Sequence, residues 1–270
     1  MELINEGYSS YAYKDEDYIL LVGKNENSYP NYEKLYHIYK FLNGRINSVD
    51  VPFSVKKFEP CKEYPYGALR TEWIYGTVLD YEHLDKINTA NFIDKIVEFL
   101  MELYVIDINA YDYDFDITEY RKNMMVTVDT NIDILKDYLN DAEMMKIVNW
   151  RKKYKNYLNN FDDYHFIHGD MWYENFIFTK DYQNLIGIID WENARIDDPA
   201  VDLAALTCIS EDIVDNIIDR LSFLSEDIRD RVQIHKELKD ILSLEYLLKY
   251  ESKNDFRALV KKIKESSIFK

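Results

Sequence analysis

Apolar and polar positions alternate with two different periods along this 270-residue chain, and the period changes near residue 88. In residues 2–24, SYAYK and DYILLVG are short β-branched and aromatic runs parted by Asp15-Glu16-Asp17, a pattern of strands joined by a turn. Residues 30–43 read as a helix, with Pro30 in its first turn and Asn43-Gly44 at its end. Residues 51–58 and 67–75 read as two further strands, so the first 75 or so residues predict a small strand-rich lobe with one helix. Beyond residue 88, Phe92, Ile96, Phe99, Leu100 and Leu103 recur at helical spacing, and residues 131–160 continue as helix. Strand character returns at YHFIH, NFIF and LIGIID, the last two flanking TKDYQN as a hairpin turn. After Pro199 the chain reads as helical, with Ser210 and Ser225 as N-caps before acidic first turns. No βαβα alternation is present, which argues against a doubly wound sheet.

Composition narrows the class. At 47% hydrophobic and 31% charged residues the chain has material for a core, which excludes disordered, collagen-like and disulfide-scaffold readings. No stretch longer than eight residues lacks Asp, Glu, Lys and Arg, so no transmembrane helix is expected. The start, MELINEGYSS, has neither the basic residues nor the apolar run of a signal peptide. With only Cys61 and Cys208, both read as free thiols, a cytoplasmic protein is expected.

Charge matters once it is divided along the chain. The net charge is −17, which argues against a nucleic-acid partner. Residues 1–79 hold 9 basic and 11 acidic side chains, residues 80–228 hold 13 and 32, and residues 229–270 hold 11 and 7. The middle segment, at −19, either attracts a cationic small molecule or is a solvated acidic face.

The densest candidate chemistry lies in residues 165–206. His168-Gly169-Asp170 follows an apolar strand, Asn175 opens the next strand, and Asp190 ends the one after it. One amide and two carboxylates therefore meet at the mouth of a hairpin, although Asp and Asn also serve simply as turn residues. Phosphoryl transfer requires such a set: one carboxylate, Asp170, to orient a hydroxyl and take its proton, and a second, Asp190, with the Asn175 amide oxygen to hold Mg²⁺ against nucleotide phosphates. No GxxxxGK[ST] loop occurs, so a P-loop site is not on offer.

This segment resembles the aminoglycoside phosphotransferase and choline kinase superfamily, small-molecule relatives of protein kinases. The family's His-Gly-Asp-x-x-x-x-Asn motif reads as His168, Gly169, Asp170 and Asn175, its Ile-Asp-Trp as Ile189-Asp190-Trp191, and its trailing element as Asp198-Pro199-Ala200-Val201-Asp202-Leu203-Ala204. The resemblance implies an α+β, two-lobed protein-kinase-like fold: a small β-rich nucleotide-binding lobe at 1–76 and a larger, mainly helical catalytic and substrate-binding lobe at 77–270. It implies Mg²⁺ as cofactor and ATP or GTP as donor. Gly7-Tyr8-Ser9-Ser10 is similar to the family's loop over the phosphates, which makes Ser9 and Ser10 nucleotide-binding residues. Backbone groups near Glu72 and Ile74 are similar to its hinge, and Tyr104 stands where the family has a His. Under this resemblance Asp202 accepts backbone N–H groups of the catalytic loop. His168 either packs beneath that loop or titrates.

The small lobe departs from the family in one place. Aligned by its end, YILLVGK puts Leu21 where the family has a phosphate-binding Lys, and a shift of three supplies Lys24 instead. Glu33, the only acid in the 30–43 helix, is then the expected partner of Lys24.

The expected substrate is a cationic small molecule, an aminoglycoside-type antibiotic or, alternatively, choline, ethanolamine or thiamine. A monomer without membrane or nucleic-acid partners is expected. A catalytically dead pseudokinase is the rival of another class.

Overall fold

The computed structural model describes residues 1–7, 9–53, 55–113 and 116–270. Tyr8 of the expected phosphate loop and Ser54 of the expected 51–58 strand lie outside them. In chain order the elements are β1 (Glu2–Glu6), β2 (Ser10–Asp15), β3 (Tyr18–Gly23), α1 (Ser28–Leu42), β4 (Lys56–Phe58), β5 (Ala68–Glu72), β6 (Thr77–Val78) and α2 (Thr89–Tyr104). There follow α3 (Ile117–Leu135), α4 (Asp141–Asn160), β7 (His165–Ile167), β8 (Phe176–Phe178), β9 (Leu185–Ile188) and β10 (Arg195–Asp197). The chain ends in α5 (Ala200–Leu206), α6 (Glu211–Arg220), α7 (Ile228–Tyr250) and α8 (Lys253–Glu265). This is the expected α+β architecture: an antiparallel N-terminal sheet followed by a larger helical part.

The chain divides into two compact units, Met1–Asp114 with His165–Leu224, and Phe115–Tyr164 with Ser225–Lys270. Every candidate site residue belongs to the first. Its five-stranded sheet has the order β1-β2-β3-β5-β4 and is antiparallel throughout. Pro30 sits in the first turn of α1, where its missing N–H has no intrahelical acceptor to lose. Tyr32, Leu35, Tyr39 and Leu42 recur on one face of α1 and are buried. The predicted stripe of α2 is buried in full, from Phe92 to Leu103, and the Asn88 side chain caps its start by accepting the Asn91 N–H at 3.2 Å.

Two small sheets build the part of this unit that carries His168, Asp170, Asn175 and Asp190. β8 and β9 form the expected hairpin with β6 alongside, and β10 returns to pair with β7. Gly187 makes one close approach possible, since a Cβ there would lie 2.9 Å from the Asp50 carbonyl oxygen. Asp50 exchanges backbone bonds with this strand, donating to Ile186 O at 2.8 Å and accepting from Ile188 N at 3.0 Å.

In the second unit, α3, α4, α7 and α8 enclose a core that includes Val128, Ile132, Ile147, Ile241 and Phe256. Trp150 stacks on Tyr154, and its indole N–H donates to the buried Glu237 carboxylate at 2.7 Å.

Two expected elements differ. The strand read over 51–58 shrinks to Lys56–Phe58, because Val51 and Pro52 bury their side chains in a turn that Phe53 N closes onto Val51 O at 2.7 Å. Ser225 does not cap α7: its hydroxyl turns to the Asp227 carboxylate at 2.7 Å, and the helix begins at Ile228. Ser210 does precede α6, without a side-chain capping bond. Among the described residues no helix is long and apolar enough to cross a membrane.

Candidate active site

The loop that follows β7 is held from beneath by two buried side chains. Asp202, in the first turn of α5, accepts the backbone N–H of His168 at 3.0 Å and of Gly169 at 2.7 Å, and the Tyr104 hydroxyl at 3.3 Å. Burial pushes its carboxyl up to about 6, against the pull of those two N–H groups and Arg195. His168 is wholly buried; its Nδ1 accepts the Asp170 N–H at 3.2 Å, so the neutral ring carries its proton on Nε2 and donates it to Ile189 O at 3.0 Å. Burial lowers this imidazole to about 4. His168 is thus a neutral strut between the Asp170 and Asp190 turns and is not a proton carrier at neutral pH.

Gly169 is where backbone geometry admits no side chain. Its φ is +81°, and an added Cβ would overlap the Asn193 carbonyl oxygen and lie 2.7 Å from Arg195 Nη1. Arg195 fills that space, donating to Asn193 O at 2.8 Å and to Asp197 at 3.0 Å.

The three polar groups at the mouth come together as expected. The Asn175 side-chain nitrogen donates to the Asp170 carbonyl at 2.8 Å, which turns its amide oxygen to the opposite side as a free acceptor. The Asn175 carbonyl accepts the Ile189 N–H at 3.0 Å, tying β8 to the turn that carries Asp190. Asp190 takes φ +63°, a left-handed conformation uncommon outside glycine. Desolvation, then the charges of Glu192 and Asp170, raise its carboxyl to about 6. Two mutually repelling carboxylates beside a neutral amide oxygen are the donor set a hard cation satisfies, so these residues fit Mg²⁺.

The sheet side of the site departs from expectation. The Ser9 carbonyl accepts the Lys24 N–H at 3.0 Å and the Ser28 hydroxyl at 2.7 Å, and the Ser10 hydroxyl meets the Tyr32 hydroxyl at 2.7 Å. Lys24 and Glu33 are not brought together. The Lys24 ammonium lies against Glu6 at 2.8 Å, Gly7 O at 3.0 Å and the Tyr11 ring, whereas Glu33 pairs with Lys57 at 2.7 Å. That pairing holds the Glu33 carboxyl below its usual range. Strand register explains the separation. Ala12, Leu21, Leu69 and Lys57 form one cross-strand row on the face that α1 covers. Tyr11 and Val22 lie on the other face, and Lys24 goes with them. Glu72 ends β5 exposed and Ile74 follows it buried, while the Trp73 N–H is taken by Asp17 O at 2.8 Å.

One contributor was noted from sequence without a role, and another was missed. Tyr104 occupies the buried stripe of α2, a phase visible in the Leu100-Leu103 spacing, but its bond to Asp202 spans 98 residues. Lys34 of α1 reaches the Asp190 turn, where its ammonium donates to Glu192 O at 2.5 Å. No local signal sets it apart from other helix lysines.

The His168–Asn175 loop, the Asp190 turn and the Asp202 support form one hydrogen-bonded cluster, and residues 1–234 match the model of the phosphotransferase enzyme family. The chain belongs to that family. It is a phosphotransferase. No curated protein matches its sequence. The fold of this phosphotransferase is similar to that of APH(2")-IIia in a complex with GDP and kanamycin, with TM-score 0.81 and 17% identity over 98% of this chain and 91% of that one. It is similar to a macrolide 2'-phosphotransferase type I, with TM-score 0.63 and 14% identity over 97% and 89% of the two chains. A choline/ethanolamine kinase family protein from Mesorhizobium loti matches with TM-score 0.63 and 16% identity over 99% and 89%.

The support beneath the loop has a measurable acid signature. His168 is depressed to about 4 in the folded protein, so below pH 6.5 the unfolded chain binds a proton that the native state refuses. Its contribution is full above pH 6.5 and is lost as pH falls to 4, by about 3 kcal/mol. Asp202, raised to about 6, acts in the opposite sense over nearly the same window, so the wild-type curve alone hides both. A His168→Gln variant shares Asp202 and lacks the imidazole. The stability advantage of wild type over this variant, from urea melts at pH 7.5 and pH 4.5, is therefore expected to shrink in acid. An advantage that grows on acidification would mean that the ring is charged in the native state.

Proposed function

We propose that this phosphotransferase moves the γ-phosphoryl group of ATP or GTP onto a hydroxyl of a cationic small molecule, an aminoglycoside-type amino sugar being the best supported. The observation that carries this reading is the grouping of Asp170, Asp190 and the free Asn175 amide oxygen at one hairpin mouth. In it, residues 1–76 hold the nucleotide, with Ser9 and Ser10 near the phosphates and the backbone at Glu72 and Ile74 against the base, and residues 77–270 hold the chemistry and the acceptor. Asn175 and Asp190 would hold Mg²⁺. Once bound there with the nucleotide, the ion would neutralise phosphate oxygens as charge moves to the leaving diphosphate. The Asp170 carboxylate orients the acceptor hydroxyl and takes its proton as the new O–P bond forms and the bond to the bridging β–γ oxygen breaks. His168 and Asp202 fix the loop so that this carboxylate needs no rearrangement to act.

The −19 charge of residues 80–228 supports a polycation over a monocation. The test is a nucleotide-consumption screen over amino sugars, macrolides, choline, ethanolamine and thiamine at two salt concentrations. The screening length falls from about 30 Å at 0.01 M to about 8 Å at 0.15 M. For an amino sugar kcat/KM should drop clearly between the two, and for choline much less. Flat salt dependence for every consumed substrate would make the acidic segment a solvated surface and remove the preference for amino sugars. Absence of turnover with either nucleotide and every acceptor would sink the reading.

A further inference from the structure

We infer that Lys34 of α1, and no residue of β3, supplies the cation that meets the nucleotide phosphates; the inference rests on the nucleotide-dependent reading above. Phosphoryl transfer gathers negative charge on the β- and γ-phosphates, and a fixed ammonium beside them stabilises its redistribution. On the sheet face turned towards α1, the middle of β3 presents Leu21, which carries no charge. Lys24 lies on the other face, engaged by a carboxylate, a carbonyl and an aromatic ring, and its swing inward would break all three. Lys57 shares the face of Leu21 and pairs with Glu33 at 2.7 Å, which makes it the rival cation on the sheet side.

Lys34 differs from both. It projects from α1 to the turn just after Asp190 and is half-buried there. Its one hydrogen bond, to the Glu192 carbonyl, is to an uncharged acceptor, and no carboxylate among the described residues pairs with it. A desolvated ammonium without a directly paired anion is costly to keep, and phosphate oxygens would compensate it. Burial, then the charge of Arg195, lower this ammonium to about 8, against the pull of the Glu192 carboxylate. Helix α1 would thus do from above the cleft what a β3 lysine does from within the sheet.

The experiment compares wild type with Lys34→Met, Lys34→Arg, Lys24→Met and Lys57→Met. It measures the affinity of each for the triphosphate that wild type consumes, for its diphosphate and for its nucleoside, with melting temperatures alongside. Lys34→Met should weaken triphosphate binding about 10- to 100-fold, the size of one charge-assisted hydrogen bond, and leave nucleoside binding unchanged. Lys34→Arg should recover most of the loss, and Lys24→Met and Lys57→Met should stay within a few-fold of wild type. Equal losses for nucleoside and triphosphate together with a lowered melting point would show that Lys34 only ties α1 to the Glu192 turn, and would overturn the inference. Unchanged triphosphate affinity in Lys34→Met, or a large loss in Lys24→Met or Lys57→Met alone, would overturn it as well. Wild type that neither binds nor consumes any nucleotide would bring down the proposed function first, which is visible before any variant is made.

Discussion

Replacing Asp170 by Asn should cut turnover by roughly 10²–10⁴-fold with little change in stability. The loop contacts of Asp170 described above are made by its main chain: its N–H reaches His168 Nδ1, and its carbonyl accepts from Asn175. Both survive the substitution, and Asn has nearly the size and shape of Asp, so the loop keeps its conformation. What disappears is the anion that takes the hydroxyl proton. The loss should fall on kcat. Removing that charge also relieves part of the repulsion that helps to raise Asp190, and Mg²⁺-nucleotide affinity should change far less than kcat. Steady-state kinetics and direct nucleotide titration separate the two effects. Wild-type turnover in Asp170→Asn would take this residue out of the chemistry. A matched collapse of nucleotide binding would make it a metal or loop residue instead.

The second large effect is expected at Gly169, and here structure fails before chemistry. Alanine at φ +81° costs about 1–2 kcal/mol from backbone sterics alone. Its Cβ would also collide with the Asn193 backbone, which belongs to the turn that closes on Arg195. A flexible side chain could yield, but the Asn193 carbonyl is main chain and cannot move without shifting the Asp190 turn. Relief by moving residue 169 instead would pull its N–H away from Asp202 and leave a buried carboxylate short of a donor. Either route costs about 3 kcal/mol or more, so Gly169→Ala should unfold at clearly lower urea, or fold with the catalytic loop displaced and activity down at least as far as in Asp170→Asn. A variant with wild-type melting behaviour and activity would contradict the close approach of residues 169 and 193.

The contrast between Asp170 and Lys24 shows which parts of this molecule were legible beforehand. Asp170, Asn175 and Asp190 sit at the ends of strands joined by a tight hairpin, so spacing along the chain converts directly into proximity. The same holds for Pro30 at the start of α1, and for the buried stripe of α2, because each depends on neighbours within a few residues. Lys24 and Glu33 are only nine residues apart, yet they diverge: one residue belongs to a sheet face and the other to a helix covering the opposite face. Side chains alternate along a strand, so the choice between Leu21 and Lys24 is a choice of face, and register with β2 and β5 makes it.

Residues 51–53 teach the same lesson in reverse. Their apolar character suits a strand, but burial is all that Val51 and Pro52 take from it, and the ladder in this stretch passes to Asp50 through its bonds to Ile186 and Ile188.

The amino-acid sequence by itself determined the α+β class and the two-strand hairpin with its three polar groups, because motif residues at fixed short spacing can fold locally in few ways; the support from Asp202, 33 and 34 residues from the N–H groups it accepts, was legible only through the family resemblance. Tertiary structure alone decided that β10 returns to β7, that Tyr104 and Arg195 brace the catalytic loop, that Glu33 belongs to Lys57, and that Lys34 arrives at the Asp190 turn. Each of these contacts other than the Arg195 bond joins residues at least 24 positions apart, and Arg195 finds its place only because Gly169 leaves room for it. Partners at that distance are selected by packing and by the face each strand presents, neither of which is written into any local pattern.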